Sequence, residues 1–446
     1  MNTITIESLD AEGRGVGRLD GKVCFVANAL PKEVVTEYRI TRNKKNFVEM
    51  DALRIRKPSA IRTRPHCPHF GVCGGCSLQH IDLSAQVAMK QRVLEDALRH
   101  IGKVKPQKIL PAVYGLKTGY RFRARMSVKY VAKKGGVLVG FHEKASPFVA
   151  DMTQCPNLPR HISDLIMPLR EMINRLSIRD KLPQIEWAVG ASVTIMAFRI
   201  MDDLTENDKT ILRQFINQYQ SDKHPLQLWL QRGKADTLAP FYPENMPVLS
   251  YRLPEFDLEM PYQPTEFTQV NHRVNEVMMS RAMALLQPNA QDKVADMFCG
   301  LGNFSLPIAR CGAEVLGVEG SAALVKRAAQ NAALNGLSHL CSFVAANLFK
   351  ANELHMQSWQ KYNKWLIDPP RDGAFELLNA LSGSLNMPQR IVYVSCKPAT
   401  LARDAEVLCG KGYTLKSAGV LNMFAHTAHV ESIAVFEKNS SNLSDL

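Results

Sequence analysis

The alternation of structural patterns after about residue 266 constrains the fold most strongly. Short apolar segments at 294–297, 315–318 and 391–394 alternate there with helical stretches such as 321–335. Strands separated by helices pair in parallel, and the helices cover the faces of the resulting sheet. Residues 266–446 are therefore predicted to form an α/β domain with a Rossmann-like parallel sheet.

The N-terminal residues 1–57 predict a different kind of domain. They alternate apolar and polar side chains in short runs, as in Val23–Val26. Glycines would mark the turns between these runs: Gly13, Gly15, Gly17 and Gly21. Short alternating segments separated by turn residues are typical of a small antiparallel barrel of the OB type.

The charge balance favours a polyanionic partner. Lys and Arg total 55 against 42 Asp and Glu, which gives a formal net charge of +13. Nucleic acid or anionic lipid would suit such a chain, and basic residues such as Arg39, Lys44 and Lys45 fit an RNA-binding barrel. The sequence shows neither a bilayer-length apolar run nor a secretory signal. We therefore expect an RNA partner and a cytoplasmic location.

Residues 58–265 are predicted to form a central, strand-rich domain. A helix capped by Ser84 runs to His100, and a hairpin between Tyr120 and Phe141 follows it. One face of the first hairpin strand carries basic residues: Arg121, Arg123, Arg125 and Lys129. This row is interpreted either as a solvated face or as a surface that follows a phosphate backbone.

A turn rich in small residues follows the first predicted strand of the C-terminal domain. It reads Asp296-Met297-Phe298-Cys299-Gly300-Leu301-Gly302-Asn303-Phe304 and lacks the third glycine of the dinucleotide fingerprint. The next strand ends in Glu319, placed to bind ribose hydroxyls, and a later strand ends in Asp368-Pro369-Pro370-Arg371. An adenosine without a diphosphate fits this pattern, which favours S-adenosylmethionine.

A cysteine ends another predicted core strand, in Val394-Ser395-Cys396-Lys397-Pro398. The adjacent Lys397 would favour the thiolate, and a thiolate can add to C6 of uracil and so make C5 nucleophilic. A base must later remove the C5 proton. Glu431 is the predicted base, and His426 and His429 are the alternatives.

Four further cysteines form a candidate metal centre: Cys67, Cys73, Cys76 and Cys155. In a reducing compartment, cysteine spacing indicates metal binding rather than disulfides. Four thiolates suit either tetrahedral zinc or an iron-sulfur cluster. Nearby histidines offer additional zinc ligands: His66, His69 and His80. The spacing leaves both possibilities open.

These motifs together resemble the RNA uracil-5-methyltransferase family, and within it the enzymes of bacterial 23S ribosomal RNA. The resemblance also rests on Phe267–Asn271 and His426–Glu431, and its N-terminal part is similar to a TRAM domain. It covers nearly the whole chain. The sequence departs from the common family form at Ala425, where proline is frequent.

The resemblance implies a reaction and a set of site residues. Methyl transfer from S-adenosylmethionine to C5 of one uridine in 23S rRNA would use Cys396 as nucleophile and Glu431 as base. The implied cofactor contacts are Gln269, Phe298, Asn303, Glu319, Asn347 and Asp368. The implied ligands of a [4Fe-4S] cluster are Cys67, Cys73, Cys76 and Cys155.

Other functions share parts of this pattern. Adenine amino-group methyltransferases carry an aromatic residue after Asp-Pro-Pro, where this chain has Arg371. Cytosine-C5 methyltransferases also use cysteine addition, but in a Pro-Cys or Thr-Cys context. The same uracil chemistry on tRNA, or RNA binding without catalysis, are further alternatives. A monomer without a stable protein partner is the expected state.

Overall fold

The N-terminal strands form a closed barrel. The computed structural model describes residues 3–234, 237–381 and 387–439. The barrel strands are β1 (Ile4–Leu9), β2 (Gly15–Leu19), β3 (Lys22–Ala27), β4 (Val34–Asn43) and β5 (Phe47–Ile55). They follow the order β1-β2-β3-β5-β4, and alternate side chains such as Ile4, Ile6, Cys24 and Val26 fill the interior. The predicted barrel is thus confirmed.

One strand pair departs from the predicted antiparallel pattern. β3 and β5 run parallel, while the other neighbouring barrel strands run antiparallel. Strand directions cannot alternate all the way around a closed ring with an odd number of strands. The turn prediction is also corrected in part, because Gly13 and Gly21 turn with φ of 79° whereas Gly15 and Gly17 lie within β2.

Helix α1 (Leu83–His100) and the short strand β6 (Lys108–Ile109) follow the barrel. The N-cap of α1 is Asp82, whose carboxylate accepts a hydrogen bond from the Ser84 amide at 2.9 Å. The predicted Ser84 cap is therefore wrong by two residues, since aspartate caps a helix as well as serine does. Both elements pack against the C-terminal sheet.

A mixed sheet follows, in the order β12-β11-β10-β9-β7-β8. Its strands and the helices between them are β7 (Arg123–Val131), β8 (Gly136–Gly140), α2 (Arg160–Ser163), α3 (Ile166–Asn174), β9 (Gln184–Val189), β10 (Thr194–Ile200), α4 (Glu206–Tyr219), β11 (Leu226–Arg232) and β12 (Ala239–Tyr242). β10 and β11 are parallel and are connected through α4, as a parallel pair requires. The β7–β8 hairpin turns at Gly135, as predicted.

The C-terminal region contains a small hairpin and the largest sheet. Its elements are β13 (Ser250–Leu253), β14 (Leu258–Pro261), α5 (His272–Leu286), β15 (Lys293–Met297), α6 (Ser305–Arg310), β16 (Glu314–Glu319), α7 (Ala322–Leu334), β17 (Cys341–Ala345), α8 (Glu353–Trp359), β18 (Lys364–Ile367), α9 (Phe375–Asn379), β19 (Arg390–Ser395), α10 (Pro398–Gly410), β20 (Tyr413–Leu421) and β21 (Glu431–Lys438). The predicted strands at 294–297, 315–318 and 391–394 are confirmed.

The order of the large sheet is β17-β16-β15-β18-β19-β21-β20-β6. β15 to β19 are parallel, and β21 is antiparallel to both of its neighbours. The chain moves outward from β15 to β17 and then returns to β18 on the other side. Such a reversal opens a crevice beyond the carboxyl ends of the strands, where ligands bind.

Apolar packing holds α1 against this sheet. Val87, Leu94 and Leu98 of the helix are buried in one cluster with Leu401 and Ala405 of α10. β6 extends the sheet by pairing in parallel with β20. In the described part of the chain, no helix is both long and apolar enough to cross a membrane.

Candidate active site

A cavity of about 650 Å³ lies at the carboxyl ends of β15, β16, β18 and β19. The predicted nucleophile Cys396 and the predicted base Glu431 both line it. So do all the predicted cofactor contacts: Gln269, Phe298, Asn303, Glu319, Asn347 and Asp368. Residues separated by up to 162 positions in the sequence therefore meet at one edge of the sheet.

The turn after β15 forms the floor of this cavity. Phe298, Gly300 and Gly302 all have positive φ, at 66°, 56° and 93°. A side chain on Gly302 would bring its Cβ within 2.7 Å of Leu306, so the turn needs glycine there. Phe298 adopts the same backbone region without being glycine, which is a strained conformation found at ligand sites.

Glu319 and Asn303 are held rigidly beside the turn. The Glu319 carboxylate accepts hydrogen bonds from the amides of Gly300 at 3.1 Å and Ser321 at 2.9 Å. The side-chain Oδ1 of Asn303 accepts hydrogen bonds from the Tyr251 hydroxyl at 2.7 Å and from the side-chain amide of Asn275 at 3.1 Å. Tyr251 and Asn275 escaped the sequence analysis because nothing near them in the sequence indicates a site.

Three ionisable groups interact at the inner end of the cavity. Burial raises the pKa of Asp368 to about 7. Burial and the Asp368 carboxylate hold the pKa of Glu431 well above its usual range. Burial, Glu431 and Asp368 raise the pKa of the Cys396 thiol to about 11, and Arg371 partly opposes them. At pH 7 the Cys396 thiol is therefore mostly protonated and Asp368 is near the midpoint of its titration, and a further cation would favour the anionic forms of all three groups.

The predicted role of Lys397 in activating Cys396 needs correction. The Lys397 side chain is exposed, and the cation that acts on the thiol is Arg371. Lys397 is instead the N-cap residue of α10, and Arg371 lines the cavity. Adjacency in sequence misleads here, because neighbouring residues at the end of a strand point in different directions.

The two alternative bases lie in different places. His429 lines the cavity, next to the Phe424 ring at a centroid distance of 5.7 Å. His426 is buried, and its ring nitrogens bond to the Lys117 carbonyl at 2.7 Å and to Gln86 at 3.1 Å. Burial lowers the pKa of His426 to about 4, so the ring is neutral at pH 7. Of the two histidines, only His429 lines the cavity beside Glu431.

The basic row on β7 is only partly free. The alternation is confirmed, since Ala124, Met126 and Val128 are buried. The Arg123 guanidinium, however, donates to the carbonyls of Glu266 and Pro264, and Arg125 pairs with Glu186 at 2.7 Å. The Arg123 guanidinium is thus bound to a neighbouring segment, whereas the Arg125 side chain, which is 68% exposed, lies on a solvated face.

Four cysteines line a second cavity, of about 80 Å³: Cys67, Cys73, Cys76 and Cys155. Burial raises the pKa of each thiol. The Asn157 amide group donates to the Cys76 sulfur at 3.1 Å. Arg121 lines both this cavity and the larger one, so the two are neighbours.

The described residues contain no group of three or more His, Cys, Asp or Glu side chains converged tightly enough to bind one metal ion. His69 lines the cysteine cavity, but its ring bonds to Thr153 at 3.0 Å. The ring of His66 lies 4.7 Å from that of His426, and His80 packs against Phe70. Of these three histidines, His69 is hydrogen-bonded to Thr153, whereas both ring nitrogens of the buried His80 lack a hydrogen-bond partner within the described protein.

Comparison with known proteins defines the class. Residues 82–439 match the tRNA (uracil-5-)-methyltransferase family, and residues 2–52 match the TRAM domain. Because the first match spans well over half of the chain, the chain belongs to this family. It is an S-adenosylmethionine-dependent methyltransferase.

Individual relatives are similar over nearly the whole chain. The 23S rRNA (uracil(1939)-C(5))-methyltransferase RlmD of Nitrosospira multiformis is 57% identical over 98% of this chain and 98% of its own length. RlmD of Chromobacterium violaceum is 56% identical over 97% of this chain and 84% of its own. The tRNA (uracil-54, C5)-methyltransferase of Pyrococcus abyssi, solved with S-adenosyl-L-homocysteine, shares the fold with a TM-score of 0.73 and 23% identity, over 98% of this chain and 100% of that one.

Proposed function

We propose that this enzyme methylates C5 of a uracil in 23S ribosomal RNA, at the position that the names of its relatives give as 1939. The cavity shared by Cys396, Glu431 and the turn after β15 carries the proposal. Methylation of an unactivated ring carbon needs a nucleophile, a base and a methyl donor in one place. The TRAM barrel and the net charge of +13 support an RNA substrate.

The cavity fits S-adenosylmethionine. The rings of Phe298 and Phe349 lie 5.6 Å apart at its mouth, and with Glu319 and Asn347 they would hold the adenosine. The other proposed contacts of S-adenosylmethionine are Gln269, Asn303 and Asp368. The buried hydroxyl of Thr268, a lining residue, lacks a hydrogen-bond partner within the described protein, which suits a polar ligand. When bound, the cofactor supplies an electrophilic methyl group and a positive charge.

Cys396 would begin the reaction as a thiolate. With a pKa of about 11, its thiol is almost fully protonated at pH 7, and burial together with Glu431 and Asp368 keeps it so. Positive charge in the cavity reverses this balance by stabilising the anions. We infer that the Cys396 thiol loses its proton to solvent water only in the loaded cavity, which protects the thiolate from other electrophiles.

The thiolate then adds to C6 of the uracil, and the C5–C6 electron pair moves toward O4, which makes C5 nucleophilic. After C5 has gained the methyl group, the Glu431 carboxylate accepts the C5 proton. The C5–C6 double bond re-forms and the Cys396 thiolate leaves. The raised pKa of Glu431 makes its carboxylate a stronger base for this step.

Two experiments test the proposal. RNA containing 5-fluorouridine at the target should form a covalent adduct with the enzyme, because fluorine blocks the proton removal that releases Cys396. Mapping of 5-methyluridine in cells without this protein should show a loss at one position of 23S rRNA. A loss confined to tRNA would support the tRNA alternative, and turnover without any adduct would contradict the covalent mechanism.

The target uracil is proposed to lie in a loop or a locally opened segment. A paired base must leave its stack to reach a cavity in the protein, and the cost is smallest where pairing is absent. Equally fast methylation of a fully duplexed substrate would contradict this.

We further propose a [4Fe-4S] cluster in the cysteine cavity. Four thiolates also suit tetrahedral zinc, with each sulfur about 2.3 Å from the ion, so zinc is the alternative that metal analysis must exclude. Cys67, Cys73, Cys76 and Cys155 would each bind one iron atom of the cluster, and four thiols around one cavity of about 80 Å³ supply the ligands that it needs. Anaerobically purified protein should contain iron and sulfide near four per chain, and stoichiometric zinc would refute the proposal.

A further inference from the structure

Consecutive carbonyl groups of one loop are held by different parts of the chain. The loop, residues 422–430, joins β20 to β21 and ends immediately before Glu431. The carbonyl of Met423 accepts from Asn271 at 3.4 Å, that of Phe424 from Lys90 at 2.7 Å, that of Ala425 from Tyr120 at 2.7 Å, and that of His426 from the Ser77 and Leu78 amides at 2.9 and 3.0 Å. The loop is therefore fixed by contacts from outside its own hairpin.

Lys90 is the unusual member of this set. It lies on α1 and is only 1% exposed. Its amino group donates to two neutral acceptors, the side-chain Oδ1 of Asn422 at 2.8 Å and the backbone carbonyl of Phe424 at 2.7 Å. Burial lowers its pKa to about 7. Burying an amine against neutral partners costs free energy that an isosteric methionine would avoid, so packing alone does not account for lysine there.

The contact with Lys90 continues into the cavity. The Phe424 carbonyl also accepts a hydrogen bond from the Thr427 hydroxyl at 3.1 Å, and that hydroxyl in turn accepts from the His429 amide at 3.3 Å. Phe424 and His429 both line the cavity that contains Cys396 and Glu431. A chain of hydrogen bonds thus runs from Lys90 to the backbone of both side chains that form this wall.

We propose that Lys90 is a positioning residue, which fixes the Phe424 carbonyl and thereby orients the Phe424 and His429 wall that holds the uracil ring for attack by Cys396. This inference rests on the proposed function. It assigns α1, far from the nucleophile in sequence, a role in the rate of adduct formation. Lys90 itself does not contact the substrate in this assignment.

The test compares Lys90→Met with Arg92→Met. Both changes replace one basic side chain of α1, but Arg92 is exposed and pairs with Asp96 on the surface. With saturating 5-fluorouridine RNA and S-adenosylmethionine, Lys90→Met should form the covalent adduct about 10- to 100-fold more slowly, the range expected for losing a hydrogen bond from a charged group. RNA and cofactor affinities should stay within about twofold. Arg92→Met should behave like the unmodified enzyme.

A spectroscopic measurement separates this inference from the covalent mechanism. In protein with ¹³C-labelled histidine, the His429 ring signal, assigned with His429→Gln, should shift in Lys90→Met and remain in place in Arg92→Met. An unmoved signal overturns the inference, whatever the adduct assay shows. If the signal moves but the unmodified enzyme never forms an adduct, the positioning role of Lys90 stands and the covalent mechanism of Cys396 is refuted. Lys90→Gln retains a neutral hydrogen-bond donor, so its rate of adduct formation and its His429 signal should lie between those of Lys90→Met and the unmodified enzyme. It replaces Lys90→Met in the test if Lys90→Met does not fold.

Discussion

The active-site cavity and the cysteine cavity pose the same electrostatic problem. In the first, burial raises the pKa of Asp368, Glu431 and Cys396, with further contributions from neighbouring carboxyl groups for Glu431 and Cys396. In the second, burial raises the pKa of the four thiols, with further contributions from their neighbours for Cys73, Cys76 and Cys155. A cation close to such groups favours their anionic forms. Each cavity is therefore suited to a positively charged ligand, a sulfonium in one proposal and iron in the other.

The two cavities differ in what supports them. Asp368 and Cys396 directly follow β18 and β19, which are hydrogen-bonded on both sides within the sheet. Three of the four cysteines lie at 67–76, a described segment of turns and isolated bridges without a helix or an extended strand. A sheet edge keeps its geometry without a ligand, whereas a loop relies on cross-links. The active site should therefore be preformed and the cysteine cavity ligand-dependent.

Removal of the nucleophile should have the largest effect. Cys396→Ala should lower methyl transfer more than about 1000-fold, because C5 then stays unactivated. Iron content and melting temperature should remain unchanged, since the sheet holds the site. Incorporation of labelled methyl groups measures methyl transfer, metal analysis measures the iron content, and calorimetry measures the melting temperature. The control is Cys409→Ala, which changes a half-buried cysteine outside the cavity. A variant that retains a tenth of the rate contradicts the mechanism.

Removal of the base should trap the reaction instead. Glu431→Gln should lower turnover by about 10²- to 10⁴-fold and accumulate a methylated covalent adduct with ordinary uracil RNA. Denaturing electrophoresis with labelled methyl groups detects this species. Glu437→Gln, on the same strand but paired with Arg390 at 2.6 Å, should not accumulate it. Retained turnover would assign the proton removal to another group, with His429 as the first to test, and lost turnover without the adduct would mean that Glu431 is needed before methyl transfer.

Loss of a cysteine from the cysteine cavity should lower the stability of the fold rather than the rate of the chemical step. Cys155→Ser should lose iron and lower the melting temperature by roughly 5 °C or more, because the loop loses its cross-link. Cys24→Ala, a buried cysteine of the barrel, should keep the iron. Anaerobic metal analysis and scanning calorimetry make the comparison. An unchanged melting temperature would mean that the loop holds its shape without a metal centre.

The smallest predicted effect is the pH dependence of the affinity for a cationic ligand. The Asp368 carboxylate forms as the pH rises through about 7, so a cationic ligand should bind about tenfold more tightly at pH 8 than at pH 6. Neutral Asp368 stabilises the unliganded fold fully below pH 3.8, and this contribution is lost as the pH rises through about 7. Asp368→Asn should flatten the binding profile in titration calorimetry, and the exposed Asp372→Asn should not. An unchanged slope in Asp368→Asn would assign the titration to Glu431.

The fold class and the site motifs could be predicted because each lies within a short stretch of sequence. Alternating strands and helices define the parallel sheet. Residues that follow such strands lie together at the carboxyl-terminal edge of the sheet, independently of the conformation of the loops. Glu319, Asp368 and Cys396 were found in this way, and all three line the same cavity. Gln269 and Asn347 follow no comparable pattern, and only the family resemblance indicated them.

Other features depend on contacts between distant segments, which local patterns do not contain. By itself, the sequence determined the barrel, the parallel sheet and the strand-end residues, since periodicity and turn chemistry are local. Only the tertiary structure decided that Arg123 binds neighbouring carbonyls, that Arg371 rather than Lys397 acts on the thiol, and that Lys90 reaches Phe424 across 334 positions. The physical reason is that burial and charge proximity arise from packing, which brings these groups together only after the chain has folded.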